Sequence, residues 1–416
     1  MKDTSVKNRC TIKRWLSRLM MLLFCTAVSV GNSVAQTYQK GSAGIPFQYT
    51  RASLTERVKV VMIGASSIQP NTGVGCAGVD QPNNDYKGKV SYTTKTGGFT
   101  TNSAQGYSSA DVTQNYFADY PFSCPSIAHA YLYWGGSAYA DNVNANYWNE
   151  SVYITRPDGS ESTAIKAQYY GSTEGFDKKL SGGSPNSDDC MSYWAMADVT
   201  SVLAGQGIGT IGVRGVKADI DDSKGGAIAG WCLVLLFRDD MSNSYPETQF
   251  TLFDGAAFFA EGSSVNKALT FNAVTSGIIS GSVGMAAMDG DVGGKTDQVT
   301  FTANGGATAQ NLNDLRGTTD FFSSSMSYNG ESMMHSENAA FGCGNTLGFD
   351  AHHIDLPKNS VTNTSNSATL KVSTNDTYMM PFMAYVAISS DVPSLVVSKV
   401  PSSSSVALIG SDVEKL

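Results

Sequence analysis

The sequence predicts an all-β protein of antiparallel β-sandwiches, jelly-roll or immunoglobulin-like, packed as two sandwich subdomains. Three observations carry this expectation. Helical periodicity is nearly absent beyond the first 35 residues. Short runs of β-branched and aromatic residues recur instead, bounded by Gly, Asn, Asp and Ser, which is the strand-and-turn signature. More than ten such runs follow one another without the intervening helices of a βαβ protein. Composition agrees: 15% of residues are charged, against about 25% in ordinary soluble domains. Hydrophobic residues make up 41%, enough to form a core, so wholesale disorder is excluded. The 42 glycines keep no three-residue period, which excludes collagen, and the charge is too sparse for a coiled coil.

The N-terminus reads as a targeting segment. Lys2, Lys7, Arg9, Lys13, Arg14 and Arg18 precede an apolar run over 19–30, followed by Ser33-Val34-Ala35. A basic region, a short apolar region and a small-residue cleavage site form a signal peptide, assigned to 1–35. The run falls short of the roughly 20 residues that a membrane helix needs. Lipidation at Cys25 fits poorly, because bulky Phe24 precedes it. Cleavage after Ala35 leaves 381 of the 416 residues and, by removing six basic residues and one acidic, takes the net charge from −8 to −13. So acidic a chain lacks the basic face that nucleic acid or an anionic bilayer requires. No later stretch holds 18 consecutive apolar residues, so no transmembrane segment is expected in the mature chain.

The first sandwich subdomain is assigned to 36–245, with strands over 58–63, 128–134, 151–155, 193–198, 210–215 and 230–237. The 229–237 run is continuously apolar, as in a central strand covered on both faces. Alternation puts Tyr131 and Tyr133 on one face of their strand, Leu132 and Trp134 on the other. The 151–155 run is edge-like and ends in the turn Arg156-Pro157-Asp158-Gly159. Asp198 and Thr200 are placed to cap a turn through side-chain bonds to backbone N–H groups. Polar stretches over 70–84 and 171–189 read as exposed loops. The break over 239–248 opens the second subdomain, 246–390, with strands over 249–253, 268–273, 298–302, 348–354, 368–372 and 381–388. Residues 391–416 read as a linker or the first strand of a following immunoglobulin-like repeat.

Five cysteines remain after cleavage, so at least one is unpaired. Cys232 lies within the buried run and is the expected free thiol. Cys76, Cys124, Cys190 and Cys343 are disulfide candidates in an oxidising compartment, with three pairings open. No C-x-x-C occurs, so zinc-ribbon and thioredoxin-like motifs are excluded.

Motifs of catalysis are sparse. A nucleophile elbow and a P-loop are absent, as is a G-x-G-x-x-G after a strand. Of four histidines, His352 and His353 are adjacent on a strand and so face opposite ways; His129 opens a strand and His335 lies in a Met-rich loop. The best cation candidate is Asp289, Asp291 and Asp297, where carboxylates alternate with glycines as in loops that wrap Ca²⁺. Thr300 stands where an EF-hand needs its Glu, so a turn with Asp bonded to its own backbone is the competing reading. The 219–222 stretch, Asp219-Ile220-Asp221-Asp222, reads as a solvated loop. Asp254, Glu261, Glu331 and Glu337 are the carboxylates a glycosidase could use. Tyr139, Tyr147 and Trp148 are candidates for stacking on sugar rings, with packing as the alternative.

Several of these pieces, in order, resemble a family. They are Ala130-Tyr131-Leu132-Tyr133-Trp134-Gly135-Gly136, Ala197-Asp198-Val199-Thr200, Ala229-Gly230-Trp231-Cys232-Leu233-Val234 and Phe253-Asp254-Gly255. Asp289-Gly290-Asp291, Thr296-Asp297, Asn345-Thr346-Leu347-Gly348-Phe349-Asp350 and the 393–399 strand follow. Together they span roughly 125–400 and resemble the N-terminal head module of large bacterial cell-surface, adhesin-like proteins that carry immunoglobulin-like conserved repeat domains. The resemblance implies an exported β-sandwich head at the cell surface, acting on a host or cell-surface protein or glycan, and supplies no catalytic residues. The expected function is a non-enzymatic adhesin or structural head. The alternatives are a carbohydrate-binding module and a glycan-active hydrolase.

Overall fold

Four β-sheets stack face to face. The structure, a computed structural model, describes residues 37–39, 46–70, 90–93, 106–119, 122–139, 147–172, 190–220, 227–242, 245–256, 259–260, 262–272, 278–288, 290, 297–313, 320–333, 345–375, 378–391, 396–399 and 406–409. The first sandwich pairs a three-stranded sheet (Ser108–Val112, Gly209–Arg214, Tyr153–Thr155) with a six-stranded one. The latter runs in the order Thr37–Gln39, Tyr169–Ser172, Cys190–Asp198, Pro125–Tyr139, Ala229–Asp239, Lys59–Ser66. The second sandwich is built on an eight-stranded sheet whose path is Tyr49–Glu56, Glu247–Asp254, Tyr378–Asp391, Ile278–Met288, Phe349–Asp355, Met326–Tyr328, Glu331–Ser332, with Phe259–Ala260 pairing beside it. Its partner is a four-stranded sheet of Ser264–Thr270, Ser367–Ser373, Gln298–Ala303 and Gln310–Asn311. Pairing between these strands is antiparallel except for 37–39 with 169–171 and 326–328 with 351–353. Among the described residues no helix is long and apolar enough to cross a membrane.

Strand alternation explains the layering. On Ala229–Asp239, Trp231, Leu233, Leu235 and Phe237 enter the first sandwich's core, while Cys232, Val234 and Leu236 enter a third apolar layer between the sandwiches. The central strand is therefore covered on both faces, as its unbroken apolar run predicts. Leu132 and Trp134 likewise face the first core, and Tyr131 and Tyr133 face the seam. From the other side Tyr378–Asp391 sends Ala384, Val386 and Ile388 into the second core and Met383, Tyr385 and Ala387 into the seam. Close approach has a steric condition. A Cβ on Gly230 would lie 2.6 Å from Cγ of Phe349, so only glycine lets that ring seat against the six-stranded sheet. Each large side chain buried in the seam contributes about 1.5–3 kcal/mol.

Strands before and after 239–248 fall in different sheets, with one exception. Tyr49–Glu56 pairs with Glu247–Asp254 and belongs to the second sandwich, after which the chain crosses into the first through Lys59–Ser66. Tyr153–Thr155 is an edge strand, and Gly159 closes its turn with φ +81° and an N–H to the Arg156 carbonyl at 2.8 Å. Asp198 accepts from the Thr200 N–H at 2.9 Å, and Thr200 Oγ1 accepts from the Ala130 N–H at 3.0 Å, the expected cap. Val396–Lys399 forms a hairpin with Val406–Ile409. Cys232 is free and buried, and burial pushes its thiol above the usual range. Cys124 is disulfide-bonded; the side chains of Cys76, Cys190 and Cys343 lie outside the described residues, and the pairing stays open.

Candidate ligand-binding cleft

A cleft of about 400 Å³ opens where the two sandwiches meet, lined by Asp111, Thr113, Asn115, Tyr116, Tyr328, Asn329, Glu331, Ser332 and Met333. Its first wall follows the Ser108–Val112 strand, continuing into a 3₁₀ turn, Gln114–Phe117. Phe117 anchors that turn in the first core, stacked on Phe122 at 4.9 Å and edge-on to Phe237 at 5.2 Å, and so fixes Tyr116 beside it. Asp111 accepts a hydrogen bond from Thr210 Oγ1 at 2.6 Å across the ladder.

The second wall is a hairpin of the second sandwich. Met326–Tyr328 turns through Asn329 (φ +52°) and Gly330 (φ +80°) into Glu331–Ser332. Two successive positive φ values are what a two-residue hairpin turn of the favoured hand requires, and Asn-Gly supplies them at least cost. Asn329 also ties this turn to the sheet. Its Nδ2 donates to Asp355 Oδ2 at 2.8 Å, and its Oδ1 accepts from the Asp355 N–H at 2.7 Å.

A row of rings connects the cleft to the seam. Tyr116 meets Tyr328 nearly edge-on at 4.4 Å; Tyr328 stacks parallel on His353 at 4.1 Å; and His353 Nδ1 bonds the phenol of Tyr385. The ladder makes the row, because Tyr328, His353, Gly284 and Tyr385 are successive cross-strand partners. His353 Nε2 faces Asp355 Oδ1 at 3.1 Å, and Lys59 Nζ lies 3.6 Å from the same oxygen. A neutral imidazole donating from Nε2 to the carboxylate and accepting the Tyr385 proton at Nδ1 satisfies all three groups. Burial lowers the His353 pKa, against the pull of Asp355. Asp355 itself is held below the ordinary range: burial opposes this, but bonds from His353 and Asn329 and the charge of Lys59 win. Burial, with the nearby charges of Asp111 and Glu331, pushes Tyr116 up to about 12. The Tyr328 hydroxyl is buried with no hydrogen-bond partner among the described residues.

The residues singled out in the sequence fall elsewhere, with one exception. Glu331 lines the cleft. Asp254 is buried in the seam, where Arg51 Nε lies 2.7 and 2.6 Å from its oxygens and the Tyr133 phenol donates at 3.3 Å. Burial raises Asp254 to about 6, against the bonds and charge of Arg51. The Arg51 guanidinium lies 3.7 Å from the Tyr169 ring centroid, so this pair clamps the second sandwich to the first. Glu261, Glu337 and His335 lie outside the described residues.

The two sugar-stacking candidates with described side chains, Tyr147 and Trp148, form no open platform. Trp148 is 8% exposed and stacks in the first core on Tyr170 at 5.7 Å. Tyr147, half-buried, packs on the same core and bonds Asp219 through its phenol. The side chain of Tyr139 lies outside the described residues, as do Asp289, Asp291, Asp221 and Asp222. Asp297 is buried. It sits beside Asp320, because the Phe321 N–H donates to the Asp297 carbonyl at 2.9 Å. Asp350 and His352 are also fully buried, and Gly290 abuts the Asp350 carboxylate, with its carbonyl accepting from Ser324 Oγ. Among the described residues no three ligating groups are placed to hold a metal. His352 and His353 do point to opposite faces, toward Phe321 at 4.9 Å and toward Tyr328.

Sequence reading missed Tyr116, Asn115 and Asp111. The cleft's second wall was legible in Asn329-Gly330, a strong hairpin signal between short apolar runs.

No protein-family model matches the sequence, and no curated protein matches it. Similar solved structures include a chain described under "The Triple Jelly Roll Fold and Turret Assembly in an Archaeal Virus", at 11% identity and a TM-score of 0.17 over 69% of this chain and 56% of that one. Another is from Sulfolobus Turreted Icosahedral Virus, at 7% identity and a TM-score of 0.20, over 80% of this chain and 90% of that one. A third is the ANXUR2 extracellular domain from Arabidopsis thaliana, at 8% identity and a TM-score of 0.18, over 80% of this chain and 97% of that one. This chain thus spans little more than half the length of the first.

Proposed function

We propose that this chain is an exported, non-enzymatic head of a surface protein that works by binding, with the seam cleft as its contact site. The carrying observation is the cleft itself: a polar, aromatic-floored concavity whose two walls come from different sandwiches held rigid by a buried seam. Such placement at the junction of two packed units is where ligand sites concentrate. The leader pattern and the motif order described above support export and a surface role. The test is incubation of the mature protein with bacterial and host surface polysaccharides and glycoproteins. Saturable retention without product release supports the reading; catalytic turnover overturns it.

A further inference from the structure

We propose that the seam cleft binds an uncharged saccharide and rejects acidic ones. This rests on the cleft being the binding site, and it goes further by naming the ligand class from the groups that line it. Two carboxylates, Asp111 and Glu331, offer acceptors, and no lysine, arginine or histidine is among the lining residues. Their field is felt at Tyr116, whose ionisation both oppose. A uronate, sulfate or sialate entering here would meet like charge at close range, a repulsion that works as discrimination. Hydroxyl groups of a neutral sugar instead donate to those same carboxylates, in charge-assisted bonds about twice as strong as neutral ones.

The remaining groups complete a saccharide's needs. Asn115 presents both donor and acceptor, and its exposed side chain is engaged by no described residue. The Tyr328 ring lines the cleft, while its hydroxyl is buried with no partner among the described residues. The half-buried ring of Tyr116 adds apolar surface for the C–H face of a pyranose. Asn329 is committed to Asp355 and acts as a positioning residue for the hairpin. A volume of about 400 Å³ suits one or two sugar rings rather than a folded protein epitope.

The experiment is calorimetric titration of the mature protein with neutral oligosaccharides (cellohexaose, mannohexaose, chitohexaose, galactan fragments) and acidic ones (oligogalacturonate, a heparin fragment, sialyllactose). The expected result is saturable binding of at least one neutral probe and none of the acidic probes. That binding should weaken at least tenfold in Glu331→Gln and in Asn115→Ala, two surface changes that leave the melting midpoint in place. Silence toward every neutral probe, binding of acidic probes only, or neutral binding unchanged in both variants overturns the proposal. A separate arm keeps the parent reading distinguishable. Retention on cell surfaces that both variants abolish, yet neutral sugars never compete, retains the cleft as a binding site and discards the saccharide. Retention unaffected by either variant discards the cleft as well.

Discussion

Tyr385 lies across Gly284. A Cβ on that glycine would sit 2.0 Å from Tyr385 Cε1, and the phenol passes over the bare backbone to bond Nδ1 of His353 two strands away. The ring row that ends at the cleft is therefore built on a missing side chain.

Gly284→Ala tests this. Alanine in a strand is ordinarily favoured over glycine by about 0.5–1 kcal/mol. Here it should destabilise by about 1–3 kcal/mol, the cost of overpacking. Urea denaturation reads the change, and in a Tyr385→Ala background the penalty should vanish, since only contacting residues couple in this way. An equal penalty in both backgrounds would contradict the contact.

The seam and the ring row pull stability in opposite directions with pH. Burial raises Asp254 from 3.8 to about 6 against Arg51, so the folded chain holds a proton there that the unfolded chain releases. The stability from this group is present below about pH 4 and lost as pH rises through about 6. Burial lowers His353 from 6.5, so its contribution is present above pH 6.5 and lost as pH falls. Asp254→Asn removes the first effect alone. The unfolding free energy of the parent should fall relative to the variant by on the order of 2 kcal/mol between pH 4 and 6. A constant difference across that window would show that Asp254 does not titrate there.

Trp148→Ala separates packing from ligand stacking. Opening a cavity beside Tyr170 and Tyr193 should cost about 3 kcal/mol in urea denaturation. Any ligand affinity measured on the folded fraction should stay unchanged. Lost affinity with unchanged stability would restore the ring as a binding platform.

Calcium is checked by melting the mature protein with and without a chelator. If the Asp-Gly stretch holds a cation, as the sequence expectation has it, the midpoint falls in chelator, recovers with added Ca²⁺ and does not respond in Asp297→Asn. An unchanged midpoint removes calcium from the account.

Much of the architecture is written in local patterns. The unbroken apolar run of Ala229–Asp239 foretells a strand buried on both faces, and the Tyr131/Tyr133 alternation marks the face that meets the second sandwich. Ile278–Met288 escapes such reading. Gly281 and Gly284 lower its strand propensity, yet both are accommodated by side chains from neighbouring strands, Leu356 and Ile388 at Gly281 and Tyr385 at Gly284. Tyr49–Glu56 escapes for another reason. Its pairing partner is some two hundred positions away, and no local signal carries that. The cleft was hidden in the same way, because Tyr116 and Tyr328 become neighbours only when the sandwiches stack. Trp148 admits both sugar stacking and packing from its sequence context, and only the assembled core selects packing.

Hydrogen–deuterium exchange of the mature protein, with and without the surface polysaccharide it retains, tests the central claim most directly. The account predicts ligand-induced protection in peptides covering both 108–117 and 326–333, the two walls supplied by different sandwiches. Protection confined to one wall, or found only away from both, would contradict a binding cleft at the seam.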